Sequence, residues 1–299
     1  MRQTDVFSGF HPWVNLCYFA LVLVFSMAFL HPVCLLIALG SALGYSRCLY
    51  GRRLLGGLKY LVPVVLLAAV INPLFTHRGV TVLAYFPSGN PLTMESIAYG
   101  LAASVMLAAV FLWFSCWNQV LSTDKMVYLF GRAAPALSLL LSMVLRFIPG
   151  LARQMKKISQ AQLCLRGGEA PASFWGKLKS GAGSLSILVT WSLEHAVETA
   201  DAMKSRGYGL PGRTAFALYR WDRRDKGMLA WLLGCGCILV IGWVRGDLAY
   251  GYYPRMTGAW TPVSAVLFVV YLALCLTPLV LNGREVWRWK SGKVGPRPL

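Results

Sequence analysis

Three carboxylates, Glu194, Glu198 and Asp201, have the spacing that comes nearest to a catalytic or metal-binding cluster. Separations of four and three residues place them on one face of a helix, where they could hold a metal ion or act as acid and base. Four cations on the preceding predicted helix could pair with them: Arg146, Arg153, Lys156 and Lys157. We therefore expect ion pairs between two helices rather than a catalytic site, and a structural role for the adjacent His195.

The other possible nucleophiles and metal ligands have no partners in the sequence. Ser115 and Cys116 lack a histidine or carboxylate in an evident partner position, which argues against an intramembrane hydrolase. Cys235 and Cys237 lack the second Cys or His pair that a metal site needs. No Gly-x-x-x-x-Gly-Lys-Ser/Thr loop for nucleotide phosphates is present in the sequence. We predict a chain that is not an enzyme by itself and holds no metal or cofactor, with capping or anchoring roles for His11, His31 and His77.

Two arginine–glycine pairs, Arg166–Gly167 and Arg206–Gly207, stand forty residues apart at the ends of two predicted helices. Each glycine occupies the position where a left-handed C-cap is favoured, and a proline follows it four residues later. The planar guanidinium group of an exposed arginine can bind carbonyl and carboxylate groups together in a partner's groove. Arg-Gly is also simply a good helix terminus, but two matched pairs favour docking to a partner.

Two long amphipathic helices must position these arginines. The first carries an apolar stripe, a separate basic face and an internal proline, Pro149, which should kink it. The second begins near Ser173 and ends at Ser205. The stripe of the first helix recurs with spacings of four and three: Leu137, Leu141, Val144, Ile148, Leu151, Met155 and Ile158.

The composition is that of a membrane protein. Of the 299 residues, 57% are hydrophobic and 13% charged, and the mean hydropathy is +0.57. Four charge-free runs are long enough to cross a bilayer, and two more are shorter and could be tilted or re-entrant. The long runs are 13–30, 96–123, 227–244 and 256–283, and the shorter ones are 32–46 and 60–75.

The net charge of +18 is concentrated in alternate loops rather than in one patch. Basic residues fill 47–59, 132–226 and 284–297, whereas 76–95 and 245–255 contain few. This alternation follows the positive-inside rule and predicts six crossings, with both termini and the central segment in the cytoplasm. The charge is therefore explained by topology, and we expect the lipid bilayer and no nucleic acid as a partner.

These patterns predict an all-α, polytopic membrane protein of about six transmembrane helices. The predicted divisions are an N-terminal membrane block of about four helices at 1–118, a cytoplasmic domain of long amphipathic helices at 119–226, a C-terminal membrane block of about two helices at 227–282, and a basic cytoplasmic tail at 283–299.

Over most of its length the chain resembles the transmembrane T components of energy-coupling factor transporters, which are related to the membrane subunits of cobalt and biotin uptake systems. The most specific segment is Ala200–Met203 leading into Ser205–Tyr208. Leu165 and Ser205 depart from the alanine that the family most often has before each arginine. The other segments that carry the resemblance are His11-Pro12, Asn72-Pro73, Leu145-Arg146-Phe147-Ile148-Pro149, and Gln162 with Arg166-Gly167.

The resemblance implies that Arg166 and Arg206 dock into two cytoplasmic ABC-type ATPase subunits, which bind the ATP and Mg²⁺. It implies that their motion passes through the two coupling helices to a small substrate-binding membrane (S) subunit. A vitamin and a transition-metal ion are both open as substrates. The loop containing Tyr252-Tyr253-Pro254 lengthens the C-terminal block without an assigned role. The residues expected to dock or to support docking are Leu165, Arg166, Gly167, Ser205, Arg206, Gly207, Arg146, Pro149, Gln162, Asp201 and Met203.

A stand-alone secondary transporter is the alternative. Such a protein should show paired interrupted helices in two related halves and acidic residues at membrane depth. The two predicted membrane blocks differ in size, and the four long apolar runs contain no Asp or Glu. The sequence therefore favours the coupling subunit.

Overall fold

The computed structural model describes residues 5–51, 54–76, 79–85, 91–133, 135–165, 167, 173–208, 210, 219–258 and 261–290, with the backbone alone at 55, 131–133, 135–138, 289 and 290. The chain divides into two compact units: unit 1 is Met1–Lys125 with Tyr219–Leu299, and unit 2 is Met126–Leu218. Unit 2 lies inside the predicted central domain, 119–226.

The described residues form nine α-helices and two small antiparallel hairpins. In chain order the helices are α1 Pro12–Ala28, α2 Pro32–Tyr50, α3 Leu54–Phe75, α4 Met94–Val120, α5 Thr123–Ala133, α6 Pro135–Leu165, α7 Phe174–Ser205, α8 Arg223–Val244 and α9 Pro262–Lys290. Strand β1 (Val82–Tyr85) pairs with β2 (Pro91–Thr93), and β3 (Tyr250–Gly251) pairs with β4 (Thr257–Gly258). The predicted all-α class is confirmed.

Two histidines cap the first two helices. His11 and His31 each accept a hydrogen bond at Nδ1 from the backbone N–H two residues later, and a proline occupies the first helical position after each. Proline is favoured there because its missing N–H has no partner in the first turn. The capping role is confirmed for both residues, and His77 lies outside the described residues.

Five of the helices that the structure describes are long and apolar enough to cross a membrane: α2, α3 from Gly56, α4, α8, and α9 as far as Arg288. The charge-free runs of the sequence did not predict the lengths of these helices accurately. The run at 13–30 gives α1, which has only 17 residues, whereas the short run at 32–46 gives the 19-residue α2. Helices extend past basic residues such as Arg47 because long cationic side chains can reach the membrane surface from inside a span. For the same reason α9 continues through residues 283–290 of the predicted tail.

Contacts between distant residues define two ends of unit 1. At what we call the hairpin end, the Tyr252 hydroxyl donates to the Leu30 carbonyl at 2.8 Å, and the ring of Tyr252 lies 5.6 Å from that of Tyr99 near the start of α4. At the opposite, basic end, the Val6 N–H donates to Asn282 Oδ1 at 2.9 Å, and the Tyr45 hydroxyl donates to Asp5.

α1 runs from the basic end to the hairpin end although it is short. Its cap residue His11 donates its backbone N–H to Asp225 at the start of α8, and its C-terminus leads to Leu30 at the hairpin end. Among the described residues of unit 1, helices α1, α2, α3, α4, α8 and α9 therefore alternate in direction. Both described chain ends and both connections to unit 2 lie at the basic end.

The core of unit 1 is aromatic and centred on α4, on which α1, α2 and α3 pack. Phe7, Tyr18, Phe19 and Trp113 are completely buried, and the rings of Phe7 and Tyr18 are 4.9 Å apart. α3 approaches α4 at Gly100, where a Cβ atom would lie 2.9 Å from the Ala69 carbonyl oxygen and within 3.3 Å of the predicted Asn72-Pro73 element. α3 continues through Pro73 to Phe75, so this element packs inside the unit rather than ending the helix.

Candidate functional site

The predicted site residues that the structure describes all lie in unit 2, where α6 and α7 form an antiparallel hairpin. Two contacts fix its direction. Gln162 Oε1 lies 2.9 Å from Ser184 Oγ, and the rings of Phe147 and His195 are 5.7 Å apart. As α6 advances from 147 to 162, its partner on α7 moves back from 195 to 184, which is the arrangement of antiparallel helices.

The C-termini of α6 and α7 therefore lie at opposite ends of the hairpin. α6 ends at Leu165, close to Gln162, whereas α7 continues for 21 residues after Ser184 before it ends at Ser205. At 1.5 Å per residue, the two ends are on the order of 30 Å apart along the hairpin. Two helix ends at this separation cannot enter one groove.

The α7 end has the hydrogen-bond pattern of a Schellman motif. The Tyr208 N–H donates to the Met203 carbonyl at 3.0 Å, and the Gly207 N–H donates to the Lys204 carbonyl at 3.0 Å. Gly207 has a φ of +83°, which glycine adopts without the steric cost of a Cβ. Arg206 is the exposed cap residue of this closed end. The predicted glycine cap is confirmed.

The C-terminus of α6 shows one of the two hydrogen bonds of this motif within the described residues. The Gly167 N–H donates to the Cys164 carbonyl at 3.1 Å, and Gly167 has a φ of +75°. Leu165 is 87% exposed, so the residue that departs from the family pattern presents a large apolar side chain at the tip. Arg166 lies outside the described residues, as do the two prolines of the sequence motif.

The two helices meet through small and polar side chains. Ser184 is 4% exposed, and a Cβ atom on Gly183 would lie 3.5 Å from Gln162 Nε2. Small residues let helix backbones approach closely, and the Gln162–Ser184 hydrogen bond then satisfies both groups. The sequence prediction included Gln162 and missed Ser184. The sequence pattern that could have identified Ser184 is the set of α7 residues that face α6, which recur at spacings of four or seven. They are Gly176, Ser180, Ser184, Leu188, His195, Thr199 and Met203.

His195 joins the two helices, as its expected structural role requires. Its ring stacks on Trp191 at 5.1 Å and meets the edge of Phe147, and Nδ1 lies 3.5 Å from Glu198 Oε2. The expected ion pairs between the α7 carboxylates and the α6 cations were wrong: in the part of the chain that the structure describes, none joins the two helices. The inward face of α7 runs through 195, 199 and 203, so its carboxylates point outward.

The remaining support residues are not brought together in one place. Arg146 and Asp201 are exposed on separate helices, whereas Met203 is half-buried on the inward face of α7. Pro149 is exposed within α6, which continues without interruption from Pro135 to Leu165. The kink at Pro149 stays a prediction.

Both connections between unit 1 and unit 2 are held by the N-terminal segment of unit 1. At the exit, the Lys125 ammonium group is buried and donates to the Ser8 carbonyl and, at 3.0 Å, to the Val120 carbonyl. With its amide oriented to suit its neighbours, Asn15 also accepts from Lys125 Nζ at 3.1 Å. Burial lowers the pKa of Lys125 to about 8, against the opposing attraction of Asp5.

At the return, Trp221 stacks on His11 with ring centroids 4.0 Å apart, and Asp225 completes a capping box with Asp222 at the start of α8. Burial lowers the pKa of His11, which the nearby Asp225 carboxylate partly opposes. The segment from Ser8 to Asn15 therefore contacts both Lys125, the last residue before unit 2, and the start of α8, which follows unit 2. The sequence does not identify Lys125 as a buried residue, because no local pattern distinguishes a buried lysine from an exposed one.

The sequence is similar to known proteins of membrane transport. The sequence model of the cobalt transport protein family, CbiQ, matches residues 8–216. A protein of Bacillus selenitireducens named energy-coupling factor transporter transmembrane protein EcfT is 29% identical over 233 residues, covering 73% of this chain and 86% of its own length. Proteins with the EcfT name from Listeria monocytogenes (28% over 200 residues, 62% of this chain and 70% of theirs) and Bacillus subtilis (26% over 195 residues, 62% and 74%) are also similar.

The family match covers well over half of the chain and includes α1 to α7. The apolar helices of unit 1 make this a multi-pass membrane protein. We conclude that the chain belongs to the cobalt transport protein family and is a transmembrane T component of the energy-coupling factor transporters.

Proposed function

We propose that this chain couples ATP hydrolysis to substrate uptake through α6 and α7. Arg166 and Arg206, each with its glycine, dock into two cytoplasmic ABC-type ATPase subunits. ATP and Mg²⁺ are bound by those ATPases and not by this chain. The motion of the ATPases passes through the hairpin to a small membrane subunit that binds the substrate, a vitamin or a transition-metal ion.

The observation that carries the proposal is the position of two Arg-Gly helix ends at opposite ends of one hairpin. A separation on the order of 30 Å suits two different subunits, one at each tip. A hairpin held by Gln162–Ser184 and Phe147–His195 would transmit a displacement of either tip to the other helix. Each tip therefore connects one ATPase to the same mechanical element.

The geometry of the α7 tip supports docking by Arg206. The Schellman hydrogen bonds satisfy carbonyls of the last turn, so a partner need not do so. The planar guanidinium group remains exposed on a rigid support, where its five donors can bind carbonyls and a carboxylate in a groove. Lysine could not reproduce this bidentate geometry.

The topology supports a cytoplasmic position for unit 2 and for both termini. Both connections to unit 2 leave from the basic end of unit 1, which also holds the described chain ends. The loops at this end carry most of the lysines and arginines, whereas the loops at the hairpin end carry few. The positive-inside rule places such an end in the cytoplasm.

Co-purification tests the proposal. The tagged chain is purified from its native membrane in mild detergent beside the Arg166→Glu/Arg206→Glu variant, and the accompanying proteins are identified. We expect two ATPase subunits and a small membrane protein with the unmodified chain, and loss of the ATPases from the variant. Arg153→Glu/Lys157→Glu is the matched control, because it makes the same change of charge in the middle of α6, away from the tips.

Three results would contradict the proposal. Loss of the ATPases from the control as well would show that net charge, and not the tips, governs attachment. Loss of membrane insertion from the tip variant would make Arg166 and Arg206 structural. Purification of the unmodified chain alone would favour a stand-alone secondary transporter.

A further inference from the structure

A cavity of about 400 Å³ lies between α2, α3 and α4 at the basic end of unit 1. Its walls are formed by Leu54, Leu58, Leu61 and Val64 of α3, by Phe111 and Leu112 of α4, and by Tyr50, Gly57, Tyr60 and Ser115. The residues of α3 that line it span ten positions, or roughly 15 Å along the helix. The cavity is thus long and apolar.

Two polar side chains in the wall satisfy each other. The Tyr50 hydroxyl donates to the Ser115 carbonyl at 2.8 Å, and the Ser115 hydroxyl donates to the Tyr50 oxygen at 3.0 Å. These groups therefore do not require a polar ligand, and the rest of the wall is almost entirely hydrocarbon. An occupant should be an extended apolar chain.

The mouth of the cavity lies where a lipid headgroup would lie. Tyr50 is the last residue of α2 and Leu54 the first of α3, so the cavity begins at the basic end. It continues along the outer surface of the bundle, where Tyr60, Val64 and Phe111 of its wall are exposed. Arg47 is exposed one turn before Tyr50 and on the same side of α2, since residues three apart are neighbours on a helix. Lys59, in contrast, lies on the face of α3 turned away from the lining residues.

We propose that this cavity binds one acyl chain of an anionic phospholipid, whose headgroup is held by Arg47. Anionic lipids are concentrated in the cytoplasmic leaflet, and basic sites between transmembrane helices on that side bind their headgroups. Because the cavity opens on the outer surface of the bundle, it faces the acyl chains of the surrounding lipid. The proposal depends on the cytoplasmic position of the basic end proposed above and is independent of ATPase docking.

Gly57 offers a way to fill the cavity without disturbing its walls. It lines the cavity, and a Cβ atom there would meet no atom within 4 Å. Gly57→Leu therefore places a side chain where the acyl chain would lie. Gly56→Leu is the matched control: Gly56 is exposed, its Cβ would also meet nothing within 4 Å, and it does not line the cavity.

The test is native mass spectrometry of the detergent-purified chain titrated with dioleoyl phosphatidylglycerol or dioleoyl phosphatidylcholine. We expect one tightly retained phosphatidylglycerol on the unmodified chain and on Gly56→Leu, and its loss from Gly57→Leu. Arg47→Gln should weaken phosphatidylglycerol binding about fivefold and leave phosphatidylcholine binding unchanged. Lys59→Gln removes the same charge from the far side of α3 and should change neither.

Equal retention of phosphatidylglycerol by Gly57→Leu and Gly56→Leu would overturn the proposal, as would equal affinities for the two lipids on the unmodified chain. If Gly57→Leu retains the lipid but loses a partner protein on purification from the native membrane, the cavity is a protein interface and the proposal is wrong. Arg47→Gln keeps the test decisive if Gly57→Leu does not fold, because unchanged selectivity in Arg47→Gln also contradicts it.

Discussion

In unit 1 the helices meet through completely buried aromatic rings, whereas in unit 2 the two long helices meet through Ser184, Gly183 and Gln162, with one aromatic contact between Phe147 and His195. Large apolar residues such as Leu140, Ile148 and Leu193 are exposed on α6 and α7. Closely packed large side chains resist displacement. A large exposed apolar surface indicates contact with a partner protein or with lipid. Unit 1 thus has a closely packed aromatic core, whereas the contact between the two long helices of unit 2 is largely made of small and polar residues.

The largest effect should come from truncating the centre of unit 1. Trp113 is completely buried among aromatic residues, so Trp113→Ala should lower the free energy of unfolding by about 3–5 kcal/mol through lost burial and a cavity. Phe114→Ala, on the exposed side of the same helix, should cost much less. Chemical unfolding in detergent measures both. Similar losses would mean that unit 1 has no rigid aromatic core.

The next effect concerns Lys125, where unit 1 leads into unit 2. Its folded pKa of about 8 lies below the ordinary 10.5, so between these values the unfolded chain binds more protons and the free energy of unfolding rises with pH. Lys125→Met lacks this contribution. Raising the pH from 8 to 10.5 should therefore increase the stability of the unmodified chain relative to Lys125→Met by on the order of 3 kcal/mol.

Unfolding curves of both proteins across this pH range provide the measurement, with Lys156→Met of α6 as the exposed control. Parallel pH profiles for the unmodified chain and Lys125→Met would show that the ammonium group is not buried at the exit from unit 1.

Glycine substitutions inside α7 and just after its end should have opposite effects on stability. Gly207→Ala places a Cβ at positive φ and 3.0 Å from the Leu210 side chain, and should cost about 1–3 kcal/mol of stability at the tip. Gly181→Ala, inside the same helix with nothing near its Cβ, should gain about 0.5–1 kcal/mol. Hydrogen exchange at the α7 C-terminus separates the two effects. Equal protection in both variants would contradict the glycine cap.

The smallest effect tests the contact between the helices of unit 2. Ser184→Ala removes the hydrogen bond to Gln162 without changing the packing, and should cost about 1 kcal/mol. Ser186→Ala, on an exposed face of α7, should change little. Unfolding of the chain alone measures this loss of stability. If partners stabilise unit 2, the loss caused by Ser184→Ala should be smaller in the assembled transporter.

Sequence patterns predicted the helices and their ends well, because those depend on neighbouring residues. The glycine caps at 167 and 207 follow from the steric freedom of glycine, and α7 starts at Phe174, next to the predicted start near Ser173. Span lengths were less accurate, because charge-free runs do not show how far a helix continues past a basic residue. The expected ion pairs failed because spacing along α7 does not say which face meets α6.

By itself, the sequence determined that the chain is an apolar, all-α protein with two long helices that end next to Arg-Gly pairs. These properties come from composition and from periods of three and four residues. Only the tertiary structure decided that the tips lie at opposite ends of one hairpin, that Ser184 is the partner of Gln162, and that Tyr252 closes the end of unit 1 on a carbonyl 222 residues away. The physical reason is that these contacts depend on the register and direction in which whole helices pack, which no local pattern encodes.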